Sequence, residues 1–450
     1  MPPPIVYDGH TMHEIIRQIF GHTFECECGR IHSVQPREIV YGDDALARLP
    51  QLAADVCDGP TVCVLSDVRT HGVAGEDVAD ALTSNGWDVR ELIVPDRAEG
   101  ESPVCDDVTK GRLAEKLPDV DLMVPVGAGV VSDLGKWLAF ERDIPLITFA
   151  TAASMNGYAS ANVAPAVEGV KTLIRARPPV AVVSSPSVLA GAAYELTAAG
   201  LGDVLAKNVS SADWKLNAVL FGEYYCPRAV SLTADIEPLY MNQPEAIRNR
   251  RGEAIESLYE ALLLTGAAMT MAGTSSPASG GEHLLSHALD MLAARDGAGH
   301  DLHGRQVGVG TVLTADVYRR VLDVESPQPV AQPTEVDRAY WGELTGAVAP
   351  HYAEKQPKYQ AAADVIIAGN TWDELRSELA GMVRPPEQLQ GVLSRASAAT
   401  TATDIGCEPQ RLLGAFVHAH ELRSRFTVLD LARLLGVMPA AADHIASTRT

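Results

Sequence analysis

The sequence predicts an α/β domain built on a parallel sheet, followed by an all-helical domain. Short β-branched runs alternate with amphipathic stretches through the first half of the 450 residues, which is the pattern of βαβ units. After about Pro186 the β-branched clusters thin out, and Ala-, Leu- and Glu-rich segments of helix length follow one another to the end. Length and a hydrophobic content of 46% suit two domains with large cores. The expected division is 1–187 and 188–450, with the active site in the cleft between the two.

The first-half strands are expected at Glu38–Tyr41, Thr61–Leu65, Val89–Val94, Leu122–Val126, Leu146–Phe149 and Val180–Ser184. Each is a short apolar run rich in Val, Ile, Leu or Phe. Helical spacing fills the gaps at Asp44–Cys57, Glu76–Asn85, Val108–Lys116 and Ser132–Arg142. In the second half the same spacing predicts helices over Asn208–Leu220, Pro244–Ala272, Glu282–Ala294, Gly308–Asp323, Trp372–Gly381, Pro386–Arg395, Glu408–Leu422 and Val428–Leu435.

Charge and composition remove several function classes. The formal net charge is −22, and the densest basic cluster is only Arg248-Asn249-Arg250-Arg251, read as a solvated helix start. So acidic a chain does not attract polyanions, and nucleic acid is not an expected partner. No apolar run reaches the roughly 20 residues of a membrane span, and Met-Pro-Pro-Pro-Ile-Val-Tyr-Asp lacks a signal-peptide plan. Seven scattered cysteines argue against a disulfide framework. A cytoplasmic location without membrane contact is expected.

A nucleotide site is expected at Val124-Pro-Val-Gly127-Ala128-Gly129-Val-Val-Ser132-Asp133. Glycines between a buried strand and a helix let backbone amides approach a pyrophosphate at the helix N-terminus, and Ser132 or Asp133 is expected to cap or enter that helix. Tight βα turns also use glycine for geometry alone, so Asp67 adds weight. It ends the run Thr61-Val-Cys-Val-Leu-Ser-Asp67, where a carboxylate can accept hydrogen bonds from an adenine-ribose diol. Arg69, two residues on, is placed to pair with a 2′-phosphate instead, which leaves NAD and NADP both open.

Asp203, His283 and His303 each sit among small residues: Ala199-Gly-Leu-Gly-Asp203, Ser279-Gly-Gly-Glu-His283 and His303-Gly-Arg-Gln-Val-Gly-Val-Gly310. One carboxylate and two imidazoles form a ligand set for a divalent transition ion, with a coordination position left for substrate. Isolated Asp and His residues are mostly caps or surface groups, so the case leans on the nucleotide-binding half before them.

Longer stretches carry a resemblance. Gly127-Ala-Gly-Val-Val-Ser-Asp-Leu-Gly-Lys136, Ile144-Pro-Leu-Ile-Thr-Phe-Ala-Thr-Ala-Ala-Ser-Met-Asn-Gly-Tyr-Ala-Ser160 and Ala199-Gly-Leu-Gly-Asp-Val-Leu-Ala-Lys207 with Asp213-Trp214 resemble the sn-glycerol-1-phosphate dehydrogenase family. So do Gly281-Glu-His-Leu-Leu-Ser-His287, His303–Gly310 and Arg425-Phe-Thr-Val-Leu-Asp-Leu431, and Phe24-Glu-Cys-Glu-Cys-Gly-Arg-Ile-His32 is similar to its bacterial branch. That family lies within the dehydroquinate synthase-like, iron-containing alcohol dehydrogenase and glycerol dehydrogenase superfamily. The resemblance implies a Rossmann-like first domain, NAD(H) or NADP(H), and one divalent metal, Zn²⁺ ahead of Ni²⁺, on Asp203, His283 and His303. It implies nucleotide contacts at Asp67, Gly127, Ala128, Gly129, Ser132, Asp133, Thr148, Thr151 and Ser154, and substrate contacts at Asn156, Lys207 and His287. Lys207, one turn beyond Asp203 on a helix, would share its face; His287, one turn beyond His283, is a substrate-side or proton-relay group. A homo-oligomer acting on a small phosphorylated substrate is expected.

The implied reaction is reversible reduction of dihydroxyacetone phosphate to sn-glycerol 1-phosphate. One departure bears on it: Met155-Asn156-Gly157 stands where the family reads Met-Asp-Gly or His-Asp-Gly. Asn is nearly isosteric with Asp but uncharged, and it brings a donor. Another small phosphorylated or phosphonylated carbonyl compound is therefore the alternative substrate. A dehydroquinate synthase-type cyclase and a non-catalytic relative complete the alternatives. Finally, Cys26-x-Cys28-x-x-x-His32 is read as reduced, partly buried thiols, with structural zinc as the alternative and no fourth ligand evident.

Overall fold

The computed structural model describes residues 12–98, 100–369 and 371–449. Two compact units emerge: Met1–Gly200 with Ser231–Gly273, and Leu201–Val230 with Thr274–Thr450.

In the first unit all six expected strands form, as β1 (Glu38–Tyr41), β2 (Thr61–Asp67), β3 (Asp88–Val94), β4 (Leu122–Gly127), β5 (Ile147–Ala150) and β6 (Ala181–Ser184). They make one parallel sheet in the order β1-β6-β5-β4-β2-β3. Register is fixed by pairs such as Val62 opposite Leu122 and Val126 opposite Phe149. Both faces of the sheet are covered, which is why its strands read as continuous apolar runs. Val62 and Val64 pack with Leu49, Leu52 and Val78 on one face, while Cys63 and Leu65 pack with Leu113 and Leu134 on the other. The packing helices are α1 (Ala45–Ala54), α2 (Glu76–Ser84), α3 (Asp107–Lys116) and α4 (Gly129–Glu141).

The strand order places a functional seam. From β2 the chain moves outward to β3; from β4 it moves the other way, to β5. The carboxyl ends of adjacent β2 and β4 therefore form a topological switch point, where open α/β sheets bind ligands. Asp67 and Gly127 are the last residues of those two strands.

Helix α5 (Tyr194–Leu205) starts in the first unit, and its last residues, including Asp203, belong to the second, which also holds α6 (Lys207–Phe221), α7 (Gly281–Asp296) and α8 (His303–Leu322). In the first unit, the stretch expected as a single helix over Pro244–Ala272 is divided. Pro244–Arg248 and Gly252–Ala272 are separate helices, because Arg250 takes a left-handed φ of 52° that interrupts the hydrogen-bond ladder. The exposed basic cluster thus precedes a helix start, as expected. The helix Thr345–Ile366 and a hairpin of Thr23–Glu25 with Ile31–Ser33 were not expected, and the helix around Asp203, given no bounds from sequence, spans Tyr194–Leu205. Among the described residues no helix is long and apolar enough to cross a membrane.

Candidate active site

At the switch point, Gly127 has no room for a side chain: a Cβ would lie 2.5 Å from Val131 Cβ. Helix α4 starts at once, capped by Ala128, whose side chain offers no hydrogen bond. Its first amides are therefore not satisfied by a cap, which suits an anion. Ser132 and Asp133 enter α4 rather than cap it. Ser132 is fully buried, and Asp133 turns to the Ala164 amide (3.1 Å) and the buried Lys136 ammonium (3.6 Å). Lys136 also donates to the carbonyls of Gly157 (2.7 Å) and Asn162 (3.1 Å), which fastens the loop after β5 to α4. Burial lowers its pKa, while Asp133 supports the charged form.

Asp67 caps a single turn, Val68–Thr70, accepting on Oδ1 from the amides of Arg69 (2.8 Å) and Thr70 (2.7 Å). These bonds use only one of its two oxygens, so Oδ2 remains as an acceptor. Arg69 is engaged elsewhere: its guanidinium forks onto Asp96 (2.7 and 3.2 Å) and reaches the Gly100 carbonyl. Thr151, just past β5, donates its amide to the Gly127 carbonyl (3.2 Å), and Ser154 follows three residues on. Thr148 lies mid-strand and is fully enclosed. The Asn156 carbonyl packs on the helix Gly252–Ala272 where Gly266 leaves space; a Cβ there would come within 2.6 Å of it.

The second unit assembles the candidate metal ligands. Asp203, His283 and His303 each offer one donor atom, and the three lie within 4.8 Å of one another. They come from three helices that approach through glycine. A Cβ on Gly202 would lie 2.0 Å from the Gly304 carbonyl oxygen, and one on Gly310 would lie 2.7 Å from that of Glu282. The small residues around the ligands thus have a mechanical reason: α5 and α7 both press on α8.

Hydrogen bonds set the imidazoles. Ser286 Oγ gives its proton to Gln306 Oε1 (2.7 Å), so His303 Nδ1, 2.9 Å away, must be the donor to Ser286. Its Nε2 then carries the lone pair. His283 Nδ1 faces Glu282 Oε1 (2.8 Å), and its Nε2 faces Asp203 Oδ1 (3.4 Å). Burial opposes an imidazolium here, but the two carboxylates outweigh it and push His283 up to about 9. A protonated ring balances these carboxylates, and a divalent ion on Nε2 would balance them in its place, with the proton released. The donor set therefore fits a divalent ion, with each ring oriented by a second partner as metal-bound histidines are.

Asp213 fixes the start of α7. Its carboxylate accepts from the amides of Gly281 and Val428 (2.8 Å each) and from the Tyr318 hydroxyl (2.6 Å). Burial, with Glu282 nearby, pushes it up to about 7 despite these donors. Arg425 adds a bond to the Ser279 carbonyl and one to Ser275 Oγ (3.0 Å). The His287 ring stacks on His303, centroids 5.7 Å apart and 14° from parallel. Lys207 begins α6, one residue after α5 ends, with Ala206 between them in right-handed helical conformation, and its ammonium donates to the Val230 carbonyl. Sequence reading missed Glu282, Ser286, Gln306 and Asp213 as supports. For Glu282, Ser286 and Gln306 the available signal was a polar residue beside or one turn from a candidate histidine, whereas Asp213, ten residues from Asp203, stood only within the motif that carries the resemblance.

The profile described as iron-containing alcohol dehydrogenase matches residues 40–193. A Thermococcus kodakarensis protein named glycerol-1-phosphate dehydrogenase (NAD(P)+) is 36% identical over 292 residues, 64% of this chain and 80% of its own. One of the same name from Bacillus licheniformis is 27% identical over 429 residues, 95% of this chain and 96% of its own. A glycerol dehydrogenase structure from Schizosaccharomyces pombe aligns with a TM-score of 0.61 at 17% identity, covering 94% of each chain; that likeness shows the fold alone.

Proposed function

Because the chain belongs to the glycerol-1-phosphate dehydrogenase family, with the iron-containing alcohol dehydrogenase fold, we propose that it interconverts dihydroxyacetone phosphate and sn-glycerol 1-phosphate with NAD(H) or NADP(H). The observation that carries this reading is the triad Asp203, His283 and His303, its imidazoles oriented by Glu282 and Ser286. When bound, the metal and the dinucleotide supply Lewis acidity at a carbonyl oxygen and a hydride for its carbon.

The chain's own residues do the rest. The Gly127–Gly129 turn and the first amides of α4 receive the pyrophosphate, Asp67 the ribose diol, and Thr151 and Ser154 line the same end of the sheet. Glu282 and Ser286 engage Nδ1 of His283 and His303, which would leave Nε2 of each ring to hold the ion. His287, stacked beside His303, carries the final proton to the alkoxide oxygen. Lys207, bonded to the Val230 carbonyl, is the proposed phosphate contact. Zinc is preferred over nickel, and a homo-oligomer is part of the reading.

The test follows nicotinamide absorbance with dihydroxyacetone phosphate and determines the handedness of the product. Turnover to the sn-1 product, lost on chelation and restored by Zn²⁺ or Ni²⁺, is expected. Product without net nicotinamide turnover would replace the reading with a cyclase. Asn156, in place of the family's Asp, favours a second substrate reading. Turnover of another phosphorylated ketone well above that of dihydroxyacetone phosphate would establish it.

A further inference from the structure

Far in sequence from the triad, the hairpin Thr23–Glu25/Ile31–Ser33 gathers Cys26, Cys28 and His32. The strands are three residues each, with Phe24 opposite His32. The turn is closed by Cys26 N on the Arg30 carbonyl (3.0 Å) and Gly29 N on the Cys26 carbonyl (2.9 Å), and Gly29 takes a φ of 82°. This left-handed glycine folds the chain back so that His32 meets the cysteines.

Cys28 Sγ lies 3.2 Å from His32 Nε2, and the donor atoms of Cys26, Cys28 and His32 are all within 4.8 Å of one another. Donors on a zinc tetrahedron, with Zn–S near 2.3 Å and Zn–N near 2.0 Å, stand about 3.5–3.8 Å apart. His32 is buried while both thiols are partly buried, and neither cysteine is in a disulfide. A hairpin this short cannot hold itself by core burial, and small elements of this kind are commonly fastened by a metal. We propose that Cys26, Cys28 and His32 bind a structural Zn²⁺, as two thiolates and a neutral imidazole, separate from the triad metal. Binding displaces the two thiol protons to solvent and changes no oxidation state. The turn resembles a clasp: the ion closes the hairpin from one side while the ladder closes it from the other.

The experiment loads the full chain with Co²⁺ and records its absorption. A near-ultraviolet thiolate-to-cobalt charge-transfer band is expected, because the triad offers no sulfur. The band should survive in His303→Ala and vanish in the Cys26→Ser/Cys28→Ser double variant, which should retain one metal equivalent per chain against two for the parent. Either a two-thiolate or a three-thiolate band intensity supports the site; single Ser replacements at the remaining cysteines then identify any third sulfur. A cobalt-saturated parent without the band, or a band unchanged in the double variant, overturns the proposal. Should the double variant fold poorly, the parent gives the answer by alkylation and peptide mapping. Zn²⁺ should slow labelling of Cys26 and Cys28 at least tenfold, and equal rates with and without zinc reject the site.

Discussion

Gly202 and Gly304 touch backbone to backbone: a Cβ on Gly202 would lie 2.0 Å from the Gly304 carbonyl oxygen. The neighbour is main chain, so it cannot swing aside. Gly202→Ala must push α5 and α8 apart, at about 1–3 kcal/mol for overpacking, and Asp203 moves with its helix. The expected result is a folded protein that loses most bound metal, read by metal analysis alongside thermal melting. Full metal occupancy in the variant would show that the helix contact does not set the ligand spacing.

Ser286 relays between His303 and Gln306. Ser286→Ala leaves all three ligands but frees the His303 ring to rotate and to change tautomer. Metal affinity should fall roughly 10- to 100-fold, measured by competition with a chelating dye. Ser286→Thr retains the hydroxyl and should recover most of the loss; failure of this rescue would point to packing rather than the hydrogen bond.

Cofactor choice turns on Arg69, which Asp96 holds in a fork. With Arg69 so engaged and Asp67 as the proposed ribose contact, NADH should serve at least as well as NADPH. Asp96→Asn releases the guanidinium. The pair is partly exposed, with Arg69 42% accessible, and such pairs contribute at most about 1 kcal/mol. The kcat/KM ratio of NADPH to NADH should therefore rise by up to about fivefold. A strong NADPH preference in the parent would mean that Arg69 reaches the 2′ position despite Asp96.

Acid sensitivity has an identifiable source in His420. Burial keeps its pKa well below the ordinary 6.5, aided by Arg433, Lys355 and His418, with Glu421 at 4.0 Å as the opposing charge. In the unfolded chain the ring protonates near its ordinary value; in the folded chain it stays neutral. Below that value the unfolded state binds the extra proton, so stability falls as pH falls. His420→Gln removes the proton difference and should flatten the acid limb by about 1.4 kcal/mol per pH unit. Denaturant titrations from about pH 5 to pH 8 measure it; an unchanged slope would assign the sensitivity to other groups.

The sheet was legible because burial on both faces writes itself as uninterrupted β-branched runs, as in Thr61–Asp67. The helix Thr345–Ile366 was not, since Pro350 and Pro357 lie inside it and proline ordinarily argues against a helix interior. The ribbons between Asn162 and Arg175 have strands of two residues each, too short to show alternation. The three candidate ligands that the fold brings together could be picked out by residue type and by the glycines that let their helices close. Their supports could not. Glu282, Ser286 and Gln306 look like ordinary polar residues until the fold brings them to a particular ring nitrogen or hydroxyl.

Asp213 binds the amide of Gly281 with one oxygen and that of Val428 with the other. The chain's far end is therefore knotted to the root of the helix that carries His283. A stop codon before Val428 would spare every ligand and the whole dinucleotide fold, yet leave that helix without its mooring. Such a truncation would read as a loss of bound metal in a chain whose Asp203, His283 and His303 are all still present.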